Sequence, residues 1–517
     1  MNKNLWNYYK QSEDGKKAID IFNPETENIW DNIEKIIELL KQWDINENLQ
    51  NLLDRVILYN INLIERGFVK EDDIFSREFF EHLITTYDIK YFHIDDNDND
   101  NIEWREDIIS QNKFRAKAST IDAFSLFLYS YDSFFTPILL SDRFDLFQKS
   151  CDALGIELPP IPHTTNYREY LMYYYDICVV LNAFQQENEL SDAELCACIY
   201  DYGMRVLQET TIETELPQPT NIWLTGGSGK HDFTFLDSLG NSPEAKSSIW
   251  ACNEKTRRGD IVIMYCTSPR SYIHSVWRAG STGIFNPFDY YHCRTTIQEG
   301  IRLPEITFND LKNDKYFSNL PIVRKNLQGI NGVAFSAKDY SELLRLAGAK
   351  GAKTDKYPQL FIGEHIDFGE IKLEKDVEEK ILIPILKKFG YVENDWTRQL
   401  QLKAGRKEKA IPDFVFFPKG EKHFENAPFI IEAKLDMSSI LERQKAYRQA
   451  LSYARMLRSK LMGTCDKERL MIYRIESTGS CNIETPLFDY HWQAIYSDNI
   501  IGAKLVQCIG KEVVESL

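Results

Sequence analysis

Two short apolar runs near the C-terminal end constrain this chain more than any other feature. Ile411-Pro412-Asp413-Phe414-Val415-Phe416-Phe417 and Pro428-Phe429-Ile430-Ile431-Glu432-Ala433-Lys434 are rich in β-branched and aromatic residues. A short polar connection with Gly, Lys, Glu and Asn separates them, so they read as adjacent strands. Side chains alternate along a strand, so Glu432 and Lys434 point the same way. A neighbouring strand can set Asp413 beside them.

That grouping carries a specific chemistry. Two carboxylates on a rigid sheet make a site for a hard divalent cation, Mg²⁺ most simply, with Mn²⁺ as the alternative. A lysine next to such an ion can orient or help deprotonate a water and stabilise charge developing on a phosphate. The expected reaction is phosphodiester hydrolysis. The competing reading is structural, since an Asp before a strand often caps a turn and strands often end in an acid and a lysine.

The flanks bear on that choice. Upstream, Val377, Ile381, Ile385 and Phe389 fall at four-residue steps, the buried stripe of a helix that Gly390 closes. Pro384 lies inside it and is expected to bend it. Downstream, residues 438–460 read as a second helix, with Gln449 and Tyr453 one turn apart on one face. The order is a helix with acids, a strand with Pro-Asp, a strand with Glu-Ala-Lys, and a helix with Gln-x-x-x-Tyr. It resembles the PD-(D/E)XK nuclease superfamily over roughly residues 372–475. The helix text is similar to the nuclease domain at the N-terminus of type I restriction-enzyme motor subunits. The resemblance implies that Asp413 and Glu432 hold Mg²⁺ with the carbonyl of Ala433, and that Lys434 serves the water. It implies Glu374 as the helix acid, by its distance to Pro384, with Glu378 one turn later as the fallback. Gln449 and Tyr453 match the accessory pair that positions the lysine or the nucleic acid.

Charge divides the chain. The net charge of −17 is an odd balance for a nucleic-acid enzyme until it is split. Residues 1–215 hold 19 Lys and Arg against 41 Asp and Glu, a net of −22. Residues 216–370 hold 18 against 16, a net of +2, and residues 371–517 hold 24 against 21, a net of +3. The acidic third should repel nucleic acid, and the other two can bind it through local patches.

Residues 1–215 read as mainly helical, with periodic segments at 29–43, 49–66, 121–131, 168–184 and 191–209. Ser191 with Glu194 forms a capping-box pattern. Nothing there points to site chemistry, so this third is read as a module for homo-oligomerisation, a partner protein or control. The run Asp95-Asp96-Asn97-Asp98-Asn99-Asp100-Asn101 lacks the glycine and glutamate that an EF-hand loop needs, and reads as a solvated acidic loop. Ten cysteines lack paired spacing, and Cys196 and Cys198 diverge on a helix, so reduced thiols in a cytoplasm are expected. The first residues show no secretory pattern, and no stretch reaches the length of a membrane span.

After residue 215 the texture changes to short strands. The run 222–230 resembles a phosphate-binding loop only superficially, because Leu224 or Thr225 replaces its first glycine and His231 stands where Ser or Thr must bind the metal. Residues 257–266 and 271–278 read as two strands after a Gly259-Asp260 turn. Pro304 to Lys312, Gln328-Gly329 and a helix at 336–347 follow. This order is similar to an EVE domain of the PUA-like superfamily, over roughly residues 217–348. The resemblance implies a small β-barrel whose pocket accepts a flipped, often modified, base. A flipped base needs aromatic faces and a few polar groups. Trp223, Trp250, Tyr265 and Trp277 are the candidate stacking residues, each with barrel core as the competing reading. Arg257, Arg258, Arg270 and Arg278 are the candidate phosphate contacts.

The expected architecture has four parts. A mainly α N-terminal domain spans 1–215, and a PUA-like β-barrel spans 216–348. A small, basic linker covers 349–371, and an α/β PD-(D/E)XK nuclease domain covers 372–517. The expected function is a Mg²⁺-dependent endonuclease acting on foreign DNA, with RNA second. By resemblance this implies modification-dependent restriction. The alternative is a nucleic-acid-binding sensor whose nuclease fold is inactive.

Overall fold

The strands of the C-terminal half form where apolar residues occupy both alternating faces, and that pattern decides how the half packs. In the computed structural model, Ile261–Cys266 is buried at every position. Its odd-numbered residues Ile261, Ile263 and Tyr265 join one apolar cluster, and Val262, Met264 and Cys266 join another on the opposite face. Each large apolar side chain so enclosed contributes roughly 1.5–3 kcal/mol.

The structure describes residues 3–23, 32–43, 52–60, 63–64, 67, 69–70, 76–86, 118–161, 167–205, 215–239, 248–285, 287–288, 293–361, 363–403, 409–422, 425–476, 479, 481–483 and 485–517. The chain divides into two compact units, Met1–Thr211 with Phe285–His292, and Ile212–Ile284 with Cys293–Leu517.

The first unit is helical. Its described helices include Lys3–Gln11, Ile33–Lys41, Leu52–Asn60, Ala118–Tyr131, Phe144–Leu154 and Tyr167–Asn188. Ser191 and Glu194 form the expected capping box at the start of Asp192–Ala197. Cys196 and Cys198 are buried, and all ten cysteines are free thiols. Phe288, from the 285–292 segment, packs edge-on against Phe144 with ring centroids 5.7 Å apart. The acidic run 95–101 and the 206–209 end of the last helical segment lie outside the described residues.

The second unit holds two mixed sheets. The first has β1 (Ile222–Gly227), β2 (Ser248–Ala251), β3 (Ile261–Cys266), β4 (Tyr272–Ala279), β5 (Ile284–Phe285), β6 (Cys293–Thr307) and β7 (Val333–Phe335). Their order is β2-β6-β4-β3-β1-β7, with β5 beside β6. β1 and β3 run parallel, and the pairs β1–β7, β2–β6, β3–β4 and β4–β6 are antiparallel. The helix read at 336–347 is Ala337–Ala349, with a Ser336–Asp339 capping box.

The second sheet carries β8 (Trp396–Arg398), β11 (Phe414–Phe416), β12 (Phe429–Ala433), β13 (Leu461–Cys465), β14 (Arg469–Arg474) and β15 (Phe488–His491). A separate ribbon of β9 (Leu402–Lys403) and β10 (Lys409–Ala410) lies between β8 and β11 in sequence. The sheet order is β15-β14-β13-β12-β11-β8. The two runs read as adjacent strands are antiparallel neighbours, with Phe414 opposite Ile431. One face packs on the helices at 374–388 and 492–515. The other packs on Ile440–Met456, the second expected helix, which Ser439 caps through the Glu442 N–H.

Two expectations need correction. The helix at 374–389 is not simply bent by Pro384. It runs as Glu374–Val377, a π turn Glu378–Leu382, and Ile383–Lys388. A helical proline has no N–H to donate and pushes against the carbonyl four residues earlier. The wider turn just before it takes up that conflict. Residues 349–371 are also not a free tether. Tyr357 is buried and bonds the Arg302 carbonyl at 3.1 Å, and the Phe361 N–H donates to the Pro219 carbonyl at 2.8 Å.

The two sheets are joined within this unit. The Ile440 N–H donates to the Glu254 carbonyl at 2.8 Å, and Arg443 Nη2 donates to the Thr256 carbonyl at 2.9 Å. A Cβ on Gly283 would stand 2.2 Å from Ile440 Cδ1, so a side chain there would make the tip of Ile440 shift.

Candidate functional site

The site grows from strand parity. Phe429, Ile431 and Ala433 of β12 face the 374–388 side, while Ile430 joins the cluster under Ile440–Met456. Glu432 shares the parity of Ile430, and Lys434 follows in register. On β11, Val415 faces the same cluster, which places Asp413 on that side too. A gap of two residues therefore suffices for contact, and Lys434 Nζ donates to Glu432 Oε1 at 2.8 Å. Asp413 Oδ2 accepts the Ala433 N–H at 2.9 Å, which locks the first acid to the strand carrying the second.

Glu432 is only 1% exposed, and its Oε2 has no hydrogen-bond partner among the described residues. A buried carboxylate oxygen without a donor is costly unless a proton or a cation meets it. Burial pushes the Glu432 carboxyl up to about 7, and the neighbouring Asp413 charge adds to this against the pull of Lys434. Asp413 is raised by the same cause, burial, which outweighs its Ala433 bond and Lys434. For Lys434, burial favours the neutral amine, but Glu432 and Asp413 prevail and its pKa rises. The pair thus holds more negative charge than one ammonium relieves.

Glu374 and Glu378 take different places. Glu374 is exposed in the first helical turn, and its charge raises Asp413, Glu378 and Lys434 alike. Glu378 is buried and ion-paired with Arg398, which also approaches Glu379 at 3.8 Å. The fallback acid is therefore already engaged. Gln449 Nε2 donates to the Tyr453 hydroxyl at 3.0 Å, so this pair forms, and no described contact links either residue to Lys434.

Arg398 was not singled out in the sequence. It ends β8 opposite Phe414, with its guanidinium 5.5 Å from that ring's centre, and its charge lowers Asp413. A basic residue ending a short strand two positions after Trp396 was the available signal.

Two acids and the Ala433 carbonyl could serve as an open donor set, with the Lys434 ammonium beside them. Among the described residues no group of three or more His, Cys, Asp or Glu side chains stands ready to hold an ion. Such a sparse set fits a hard ion that keeps most of its waters, as Mg²⁺ does, and the unsatisfied Glu432 oxygen gives it a place to bind.

The candidate base-stacking rings lie inside the first sheet's packing. Trp223, Trp250, Tyr265 and Trp277 are all at most 7% exposed. Trp223 Nε1 donates to Asp260 at 2.9 Å, Trp250 Nε1 to the Gly226 carbonyl at 3.1 Å and Trp277 Nε1 to Ser275 at 2.7 Å. The four arginines are also engaged. Arg278 Nε donates to the Gly259 carbonyl at 2.6 Å, and Arg270 pairs with Asp237 at 2.5 Å. Arg258 donates to the Glu215 carbonyl at 3.3 Å, and Arg257 is buried toward the second sheet, against Met437 and Met471. Barrel core is the competing reading for each of these rings, because barrel rings and reader rings look alike in a strand buried on both faces.

Among the described residues no helix is long and apolar enough to cross a membrane. No protein-family model matches this chain, and neither a curated protein nor a solved structure matches it.

Proposed function

We propose that the chain is a divalent-metal-dependent endonuclease of the PD-(D/E)XK kind, acting on DNA, with the site on β11 and β12. The observation that carries this is the buried Asp413–Glu432 pair, with one Glu432 oxygen unsatisfied and Lys434 2.8 Å from the other. Asp413, Glu432 and the Ala433 carbonyl would hold Mg²⁺, which when bound polarises the scissile phosphate and lowers the pKa of an attacking water. Lys434, held charged by both acids, orients that water and offsets charge growing on the phosphate. Glu374 adds negative potential at the mouth and favours cation uptake. Glu378 and Arg398 hold each other, and Arg398 places a second positive charge beside Asp413.

The proposal extends to restriction of foreign, base-modified DNA, with the first sheet as an EVE-like reader. Its support is the order of strands and helices over 217–348. Base recognition is assigned to none of the four enclosed rings. The acidic helical unit is proposed as the assembly or control module.

The test is cleavage of otherwise identical DNA carrying plain or modified cytosine, with Mg²⁺ and with chelator. Cutting that needs Mg²⁺ and disappears in Asp413→Ala supports the enzyme. Metal-independent binding without cutting under every condition favours the sensor with an inactive nuclease fold.

A further inference from the structure

Where the first sheet's 256–258 turn meets β14, β15 and the loop before β15, the larger unit encloses a cleft of about 160 Å³. Arg257, Arg258, Arg443, Tyr473, Asp489 and Tyr490 line it. Three arginines face two acids there, Glu215 and Asp489. Asp489 is ion-paired with Arg469 at 2.6 Å, and its charge also acts on Arg257.

Arg257 is the telling group. It is 6% exposed, and among the described residues its guanidinium meets only the Met437 carbonyl at 3.4 Å and the Met471 sulfur at 3.6 Å. Neither contact compensates a cation removed from water. Burial and the neighbouring Arg469 favour loss of its proton and outweigh the charges of Asp489, Asp466 and Asp260. Arg443, 5% exposed, reaches the same cleft from Ile440–Met456 while donating to the Thr256 carbonyl. A buried arginine with no carboxylate in hydrogen-bond contact is a burden on the fold, and proteins carry such burdens where a ligand needs them. Guanidinium groups match the geometry of phosphate oxygens, and two of them line this cleft.

We infer that this cleft is a phosphate-binding site, in which Arg257 and Arg443 grip the phosphate of inorganic phosphate or of a small phosphomonoester. A single water needs roughly 10–15 Å³ of such space, so the cleft has room for a phosphate and part of the group it is attached to. The site is separate from the carboxylate pair and does not depend on the nuclease reading.

The full chain is titrated with inorganic phosphate and with AMP, adenosine serving as the control, at fixed ionic strength and without divalent metal. Calorimetry and thermal melting are the readouts. Saturable binding of phosphate that raises the melting temperature is expected, as is at least a tenfold loss of affinity in Arg257→Met. Without ligand, Arg257→Met should melt at or above the wild-type temperature, because a buried charge in no ion pair is gone. Arg257→Lys keeps the charge without the fork and should bind with intermediate affinity, which provides a test should the methionine variant fold poorly. AMP binding alongside phosphate assigns a phosphomonoester, and phosphate without AMP assigns the free anion. No saturable phosphate binding at millimolar concentration, or equal binding by wild type and both variants, overturns the inference.

Discussion

The two sheets of the larger unit treat their buried polar groups in opposite ways. On the first sheet Asp260 accepts from the Asn221 N–H at 3.0 Å, the Arg257 N–H at 2.9 Å and Trp223 Nε1 at 2.9 Å. Its capacity is consumed by the fold. On the second sheet Asp413 takes one backbone N–H, Glu432 takes one ammonium, and an oxygen stays unsatisfied. A buried acid whose hydrogen bonds are complete is a structural element, and one with capacity left over is prepared for something else. Removing each kind should therefore have separable consequences.

The largest effect is expected on chemistry. Asp413→Asn and Lys434→Ala should each lower Mg²⁺-dependent cleavage by roughly 10²–10³-fold, the scale of losing one preorganised charge at a reacting centre. Their circular dichroism and unfolding midpoints should stay near wild type. Asp260→Ala should do the reverse. It removes the acceptor of five donor groups, on Thr220, Asn221 (backbone and side chain), Trp223 and Arg257, and should cost about 3 kcal/mol or more in denaturant unfolding, with little change in cleavage by the folded fraction. A catalytic collapse with intact stability in Asp260→Ala would erase the contrast between the sheets.

The contrast sharpens with pH. Folding raises Glu432 from an ordinary 4.5 to about 7, so the folded state binds more protons than the unfolded chain between those values. Stability should then fall as pH rises from about 4.5 to about 7, by at most about 3 kcal/mol from this group. The groups facing it, Asp413 and Lys434, set that slope with it. Glu432→Gln should flatten the slope and stabilise the chelator-treated protein above pH 7 while abolishing cleavage. Mg²⁺ should flatten it in the wild type, because the ion favours the charged carboxylate. Unfolding curves from pH 4 to 8, with Mg²⁺ or chelator, read this directly, and a wild-type slope that Mg²⁺ leaves unchanged would falsify the metal assignment.

Local rules exposed much of this site in the sequence. Period-two alternation put Glu432 and Lys434 on one side, and both runs became the neighbouring strands β11 and β12. The Ser191 cap followed from spacing alone. What stayed hidden depends on partners far along the chain. Nothing near Arg257-Arg258-Gly259-Asp260 tells that Arg257 turns inward, because its neighbours Met437 and Met471 lie 180 and 214 residues away. Trp277 and Trp250 looked available because β-strands usually leave one face to solvent, whereas this sheet is covered on both. Glu378 was a reserve ligand until Arg398, twenty residues later, took it.

The smallest expected effect concerns Gln449 and Tyr453. Their hydrogen bond of 3.0 Å joins two partly buried side chains, and Tyr453→Phe removes one such bond, so stability should change by under about 1 kcal/mol. Cleavage separates their two roles. A pair that positions Lys434 would lower kcat and leave KM alone, because it acts only on the reacting centre. A pair that touches nucleic acid would raise KM and leave kcat alone, because it contributes uniform binding. No described contact joins either residue to Lys434, so a rise in KM of less than tenfold is expected. A fall in kcat at constant KM would instead tie the 440–456 helix to the lysine and extend the reacting centre by one helical turn.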